Sequence, residues 1–167
     1  MVTIGLLSDT HGYWDDRYAV FFSSCDEIWH AGDIGTIDVY NKLMEICSVR
    51  AVTGNCDGYP LRTFLRPELS FTIEGVNVFM THIGGYPGKY APGIASKLVA
   101  NKTKLFISGH SHILKVVNDP ALGLLHINPG AAGLQGWQQV RTLARFKIDG
   151  DKIKDLEIKE IPLTLVP

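Results

Sequence analysis

Three apolar, partly β-branched runs separated by two segments at helical spacing restrict the fold of this chain more than any other feature. The runs are Val2 to Ser8, Glu27 to Ala31 and Val49 to Thr53. Between them, Asp15 to Ser24 places Tyr18, Phe21 and Phe22 at core-facing spacing, and Ile37 to Cys47 does the same with Val39, Tyr40, Leu43, Met44 and Cys47. Apolar strands alternating with helices predict a parallel sheet with right-handed crossovers. Each run stops at a polar cluster: Asp9-Thr10-His11-Gly12, Gly32-Asp33 and Gly54-Asn55-Cys56-Asp57. Open α/β sheets bind ligands beyond the carboxyl ends of their strands, so chemistry is expected there.

After Pro60 the pattern changes to hairpins. Leu69 to Ile73 and Val76 to Thr81 flank a Glu74-Gly75 turn, and the second strand runs into His82. A loop rich in glycine and proline spans Gly84 to Gly93, followed by a short helix over Ile94 to Ala100. Lys104 to Ser108 is a buried strand ending at Gly109-His110-Ser111-His112. Ile113 to Val117 and Leu122 to Ile127 surround a turn at Asn118-Asp119-Pro120, and Asn128 to Gly133 is a tight turn of small residues. Thr142 to Ile148 and Lys152 to Ile158 flank Asp149-Gly150, the strongest hairpin signal in the chain. No linker, repeat or low-complexity stretch divides the sequence, so one domain over residues 1–167 is expected.

The strand-end residues share a chemistry. In Asp9-x-His11 and His110-x-His112, two ligating side chains one residue apart project to one side of an extended segment. Singly, such pairs equally fit turns whose side chains bond to backbone or water. Together, Asp9, His11, Asp33, Asn55, His82, His110 and His112 offer carboxylate, amide oxygen and imidazole, with no thiolate. That set suits hard and borderline divalent ions. It exceeds what one tetrahedral zinc takes and fits two ions about 3.5–4 Å apart sharing a carboxylate.

Composition removes other classes. The formal net charge is −1 and the sixteen basic residues form no run, which argues against general or strong nucleic-acid binding. No apolar stretch is long enough to cross a bilayer, and the first residues lack the basic start of a signal peptide. Cys25, Cys47 and Cys56 form no CxxC pair, which fits a reducing, cytoplasmic setting rather than a disulfide framework.

In this order, Asp9-x-His11, Gly32-Asp33, Gly54-Asn55, His82 and Gly109-His110-x-His112 resemble the motif set of the calcineurin-like metallophosphoesterases. The length, Gly54-Asn55-Cys56-Asp57 and Ile127-Asn128-Pro129-Gly130 resemble the small bacterial and archaeal phosphodiesterases of that superfamily. The resemblance implies an α/β fold in which a sandwich of two β-sheets is flanked by helices. It implies that Asp9, His11 and His112 hold one ion, Asn55, His82 and His110 the other, and Asp33 bridges them. Asp33, Asn55 and His82 are then catalytic as well as ligating. The activity implied is phosphodiester hydrolysis by solvent activated between two cations, attacking phosphorus in line with no phospho-enzyme. The donor types admit iron, nickel, cobalt or zinc, and the resemblance favours manganese. The partner implied is a small phosphodiester, and a homo-oligomer remains compatible with it. A non-catalytic scaffold on the same fold, as in the small subunit of the retromer coat, is the alternative.

One departure concerns Cys56, where many relatives carry histidine. A thiol packed near the site, acting as a small hydrophobe, is expected, with turnover favouring good leaving groups. His30 is expected either to orient a ligand or to sit satisfied in the core, His126 to be structural, and Asp57 to support the Asn55 turn or cap the next segment rather than to ligate. Tyr86 and Lys89 are expected on a loop bordering the substrate groove, with Lys89 solvated or touching phosphate. Tyr13, Trp14 and Trp137 are expected to pack in a core or interface.

Overall fold

The structure, a computed structural model, describes residues 1–163; residues 164–167 of the expected domain lie outside them. Two five-stranded sheets face each other. In the first, β1 (Val2–Leu7), β2 (Glu27–His30) and β3 (Ser48–Ala51) run parallel in chain order. There β11 (Val140–Asp149) pairs antiparallel with β1, and β12 (Lys152–Pro162) with β11. The second sheet has the order β4 (Glu68–Ile73), β5 (Val76–Thr81), β8 (Leu105–Ile107), β10 (Leu124–Pro129) and β9 (Leu114–Asp119). Within it, β5, β8 and β10 are parallel.

Strand alternation explains why the apolar runs are continuous. Ile4, Leu6 and Trp29 point between the sheets and meet Val78, Met80, Leu105, Ile107 and Ile127 from the other side. Their neighbours Leu7 and Ile28 point outwards onto α1 (Asp16–Phe22) and α2 (Ile37–Met44), packing with Tyr18, Phe22, Val39 and Leu43. Phe79 and Phe106 point outwards from the second sheet onto Ile94 and Leu98 of α4 (Ile94–Ala100). A short α3 (Leu61–Phe64) follows β3. Each side chain so buried contributes roughly 1.5–3 kcal/mol, and both faces of each sheet carry such residues. The architecture is the helix-flanked double sheet expected.

Local differences have simple causes. The ladder between β9 and β10 runs on to Asp119 and Leu124, so the turn is Pro120 to Gly123 rather than Asn118 to Pro120. Asp119 fixes it by accepting from the backbone N–H groups of Ala121 and Leu122. Asp149 pairs with Lys152, leaving Gly150-Asp151 as the two-residue loop, with Gly150 at φ 62°. Asn128 and Pro129 belong to β10 rather than to the turn after it. The glycine-rich loop holds a small hairpin of β6 (Gly85–Tyr86) and β7 (Lys89–Tyr90), too short to show periodicity. No helix of the described residues is long and apolar enough to cross a membrane.

Candidate metal centre

All seven candidate ligands gather at one end of the sandwich. Asp9 and His11 follow β1, Asp33 follows β2 and Asn55 follows β3; His82 follows β5, and His110 and His112 follow β8. The five strand ends are the carboxyl ends of parallel strands, three from one sheet and two from the other.

The expected extended geometry of the Asp-x-His and His-x-His pairs is not what brings them together. Asp9, His11, Asp33, His110 and His112 all have positive φ, between 45° and 71°. Left-handed backbone is uncommon outside glycine, least so for Asp, Asn and His, and costs of order 1–3 kcal/mol per residue unless surroundings impose it. Here it folds the chain sharply back after each strand, so alternate side chains converge on a point instead of lying along an edge. Paired imidazoles result, with ring centroids 5.4 Å apart for His11 and His112 and 5.3 Å for His82 and His110.

The motif glycines interlock the loops. A Cβ on Gly32 would sit 2.5 Å from His82 Nδ1, and one on Gly109 2.2 Å from Ser8 Oγ and 3.0 Å from Asp9 Oδ2. Each such glycine thus makes room for a residue belonging to another strand end.

Asp9 is fully buried, and its Oδ2 accepts from Ser8 Oγ at 2.7 Å and from the His110 backbone N–H at 3.1 Å. Its Oδ1 faces His112 Nε2 at 3.1 Å and both His11 Nε2 and His82 Nε2 at 3.7 Å. Asp33 Oδ1 accepts from the Cys56 backbone N–H at 2.8 Å, while Oδ2 faces His82 Nε2 at 3.1 Å and His11 Nε2 at 3.7 Å. Outward bonds set the ring tautomers: His82 Nδ1 donates to the Ala31 carbonyl at 2.7 Å, and His112 Nδ1 to Gln138 Oε1 at 3.2 Å. Each neutral ring therefore turns an Nε2 lone pair towards carboxylate oxygens.

Acceptors facing acceptors need a positive charge between them. Asp9 Oδ1, His11 Nε2 and His82 Nε2 are buried without a hydrogen-bond partner. Asp9, His11 and His112 form one group with ligand-atom spacing, and Asp33, His82 and His110 form another. Asp33 also groups with His11 and Cys56, which places it between the two sets. Asn55 Oδ1 lies 3.1 Å from His110 Nδ1, at the second set. The donor set fits two divalent cations.

Protons compete for the same positions. Burial acts to raise the Asp9 and Asp33 carboxyls, but the imidazoles facing them carry both below the usual range. His112 is raised by Asp9, and His82 is raised by Asp33 against the opposing effect of its burial.

The supporting residues are of two kinds. Asp57, expected to brace the Asn55 turn, accepts from the backbone N–H groups of Gly54, Ile34 and Gly35 and so joins the Asn55 loop to the Asp33 loop. His30 is a satisfied core histidine: Nδ1 accepts from Gly32 N–H, and Nε2 contacts Thr10 Oγ1, which donates to Ile34 O. Burial lowers its pKa to about 4, so it stays neutral. Gln138 carried no recognisable signal, and Asn128 entered only within the Ile127-Asn128-Pro129-Gly130 motif with no role assigned; Gln138 orients His112, and Asn128 Nδ2 donates to Gly109 O and Ser111 Oγ. Their partners lie 17 to 26 residues away, beyond any local pattern.

Cys56 is exposed, which corrects the packed thiol expected. Its N–H donates to Asp33 Oδ1 at 2.8 Å, and Sγ, 3.5 Å from Asn55 Nδ2, lies at ligand spacing from His11 and Asp33, so the thiol borders the site yet is open to solvent. Tyr86 and Lys89 lie on the β6–β7 hairpin beside His110. Trp14 packs edge-on against Tyr18, while Trp137 is fully exposed instead of packed. His126 is structural, bonded to Ser108 Oγ and stacked on Phe106.

Residues 2–151 match the family model described as the calcineurin-like phosphoesterase superfamily domain. A probable metallophosphoesterase of Methanothermobacter thermautotrophicus is 30% identical over 164 residues, covering 93% of this chain and 90% of the relative. One from Methanocaldococcus jannaschii is 30% identical over 167 residues, covering 96% and 81%. Among solved structures, a single-mutant Vps29 from Entamoeba histolytica superimposes with a TM-score of 0.77 at 14% identity, over 96% of this chain and 98% of that one.

Proposed function

Because the chain belongs to the calcineurin-like phosphoesterase superfamily, we propose that it is a single-domain, metal-dependent phosphodiesterase. Asp9, His11 and His112 hold one divalent ion, Asn55, His82 and His110 hold a second, and Asp33 lies between them. The observation that carries this reading is the orientation of His82 and His112: each ring gives its Nδ1 proton away from the site and aims Nε2 at a buried carboxylate. Oxygen and imidazole donors admit manganese, iron, nickel, cobalt or zinc, and manganese is the first choice by resemblance to the family.

When bound, two such ions supply a solvent nucleophile near neutral pH and offset charge developing at phosphorus. The chain does the rest. Asp9 and Asp33 neutralise half of the four positive charges, leaving an excess that attracts an anionic ester. With solvent as the attacking group no protein nucleophile is required and no phospho-enzyme is expected; Ser111 Oγ, the hydroxyl nearest the two histidines in sequence, accepts from Ile113 N–H and Asn128 Nδ2. His110 and Asn55 are exposed, which leaves the centre open to a diester with a group on each side. The free thiols suit a cytoplasmic enzyme.

A protein-binding scaffold on this fold has no use for inward-facing acceptors held at a cost in backbone strain. Metal analysis with turnover of bis-p-nitrophenyl phosphate separates the readings. Two ions per chain with metal-dependent release of nitrophenol is the expected result; a metal-replete, inert protein overturns the enzyme.

A further inference from the structure

Next to the metal centre lies a second cavity of about 250 Å³, which shares Gly109, His110 and Ser111 with it as a common wall. Ile83, Tyr86, Ala91 and Ile113 present apolar surface, and Lys89 and Lys115 stand among them. No aspartate or glutamate lines the cavity. We propose that this cavity seats an aromatic group of the phosphate ester whose phosphorus lies at the metal centre, a proposal that rests on the phosphoesterase reading above.

Size, chemistry and rigidity support it. A cavity of about 150 Å³ accommodates benzene, so the space here takes a substituted ring or a nucleobase. Ile113 is 64% exposed, Ile83 46% and Tyr86 41%, an apolar cluster left open beside a highly polar centre. Apolar and aromatic side chains lining a concavity, with a few polar groups among them, are the usual composition of a small-molecule site. Lys115 Nζ stands 3.8 Å from the Tyr86 ring centroid, a cation–π contact that sets both side chains in place. With two lysines and no carboxylate, the cavity disfavours cationic alcohols such as choline and tolerates anionic or neutral rings.

The wall is braced by its backbone. Gly85 pairs with Tyr90 and Tyr86 with Lys89, Ala91 N–H donates to Gly84 O at 3.0 Å, and Tyr90 OH donates to Asp119 at 2.6 Å. Gly85, at φ 70°, lets the strands meet where a Cβ would lie 2.4 Å from Lys89 O. Preorganised walls lower the ordering penalty of binding. On the floor His126, almost fully buried, has an Nδ1 without a partner.

Calorimetric titration of the manganese-replete protein with phenylphosphonate, methylphosphonate and phosphocholine tests this by binding, and the two phosphonates carry no hydrolysable ester bond. Phenylphosphonate is expected to bind at least ten-fold tighter than methylphosphonate, with phosphocholine no tighter than methylphosphonate. In Tyr86→Ala, and separately in Ala91→Trp, which fills the space, the phenyl-over-methyl ratio should fall below three-fold. Equal binding of the two phosphonates, an unchanged ratio in both variants, or preference for phosphocholine overturns the cavity assignment alone. Failure of every phosphonate to bind the metal-replete protein overturns it together with the phosphoesterase reading.

Discussion

Gly54 lies directly against Asp33: a Cβ at position 54 would fall 2.1 Å from Asp33 Oδ1 and 2.4 Å from its backbone nitrogen. The same arrangement sets Gly32 against His82 and Gly109 against Asp9. Glycine precedes Asp33, Asn55 and His110 because each motif is the floor on which another motif's ligand rests. The strand ends of the two sheets are thereby registered to a fraction of an ångström, which a two-ion site requires.

Gly54→Ala should therefore damage the site more than the fold. The clash includes backbone, so no rotamer change relieves it, and overpacking of this kind costs about 1–3 kcal/mol. Asp33 is displaced, so bound metal should fall from two ions per chain to one or fewer, and diesterase kcat/KM at least 100-fold. Metal analysis with urea unfolding checks both; a variant with full metal content and ordinary activity contradicts the interlock.

Metal affinity should depend steeply on pH. His82 and His112 have raised pKa values in the metal-free protein, because Asp33 and Asp9 hold their protons, against burial in the case of His82. A cation must displace those protons, so affinity should keep rising with pH beyond the usual imidazole value of about 6.5. Calorimetry at pH 7 in buffers of different ionisation heat should show net proton release. Binding with no proton release, and no change in affinity from pH 6 to 8, contradicts the raised pKa values of His82 and His112.

Two buried histidines should make the protein acid-sensitive. Burial lowers the pKa of both His30 and His126 to about 4, against about 6.5 in the unfolded chain. Between those values the unfolded state binds more protons, so stability is complete above pH 6.5 and declines as pH falls towards 4. His126 alone accounts for roughly 3 kcal/mol across that window. His126→Gln, which cannot protonate, should flatten the pH dependence of unfolding free energy by about one proton; an unchanged slope removes His126 from the account.

The candidate ligands were legible in the sequence because parallel strands end where ligands bind, and the apolar runs show where each strand stops. All seven residues expected at the centre meet there. Backbone conformation was not legible: residues alternating along a strand and residues in left-handed turns give the same Asp-x-His spelling. Nor were the roles of Gln138 and Asn128, whose bonds to His112, Gly109 and Ser111 cross the fold and obey no local period. The β6–β7 hairpin escaped because two-residue strands carry no alternation to detect. Cys56 lies near the site as expected, but it is exposed rather than packed, because it sits on the turn that gives its N–H to Asp33 at the rim of the centre.

That exposed thiol at the rim of the site bears on the leaving group. A departing alkoxide needs a proton, and an ordinary thiol, with a pKa of about 8.5, is a weaker acid than imidazolium at about 6.5. Wild-type turnover should therefore fall steeply as the leaving group becomes more basic, with nitrophenyl esters fast and alkyl esters slow. Histidine at position 56 would sit exposed beside Asn55 and His110, where a proton donor can reach the departing oxygen. Cys56→His should raise kcat for alkyl leaving groups about ten-fold or more while changing nitrophenyl turnover little, flattening the dependence on leaving-group pKa. The contribution of general acid catalysis, typically 10²–10⁴-fold, sets the upper bound of the gain. If the slope against leaving-group pKa is the same in both proteins, protonation comes from solvent and position 56 takes no part in it.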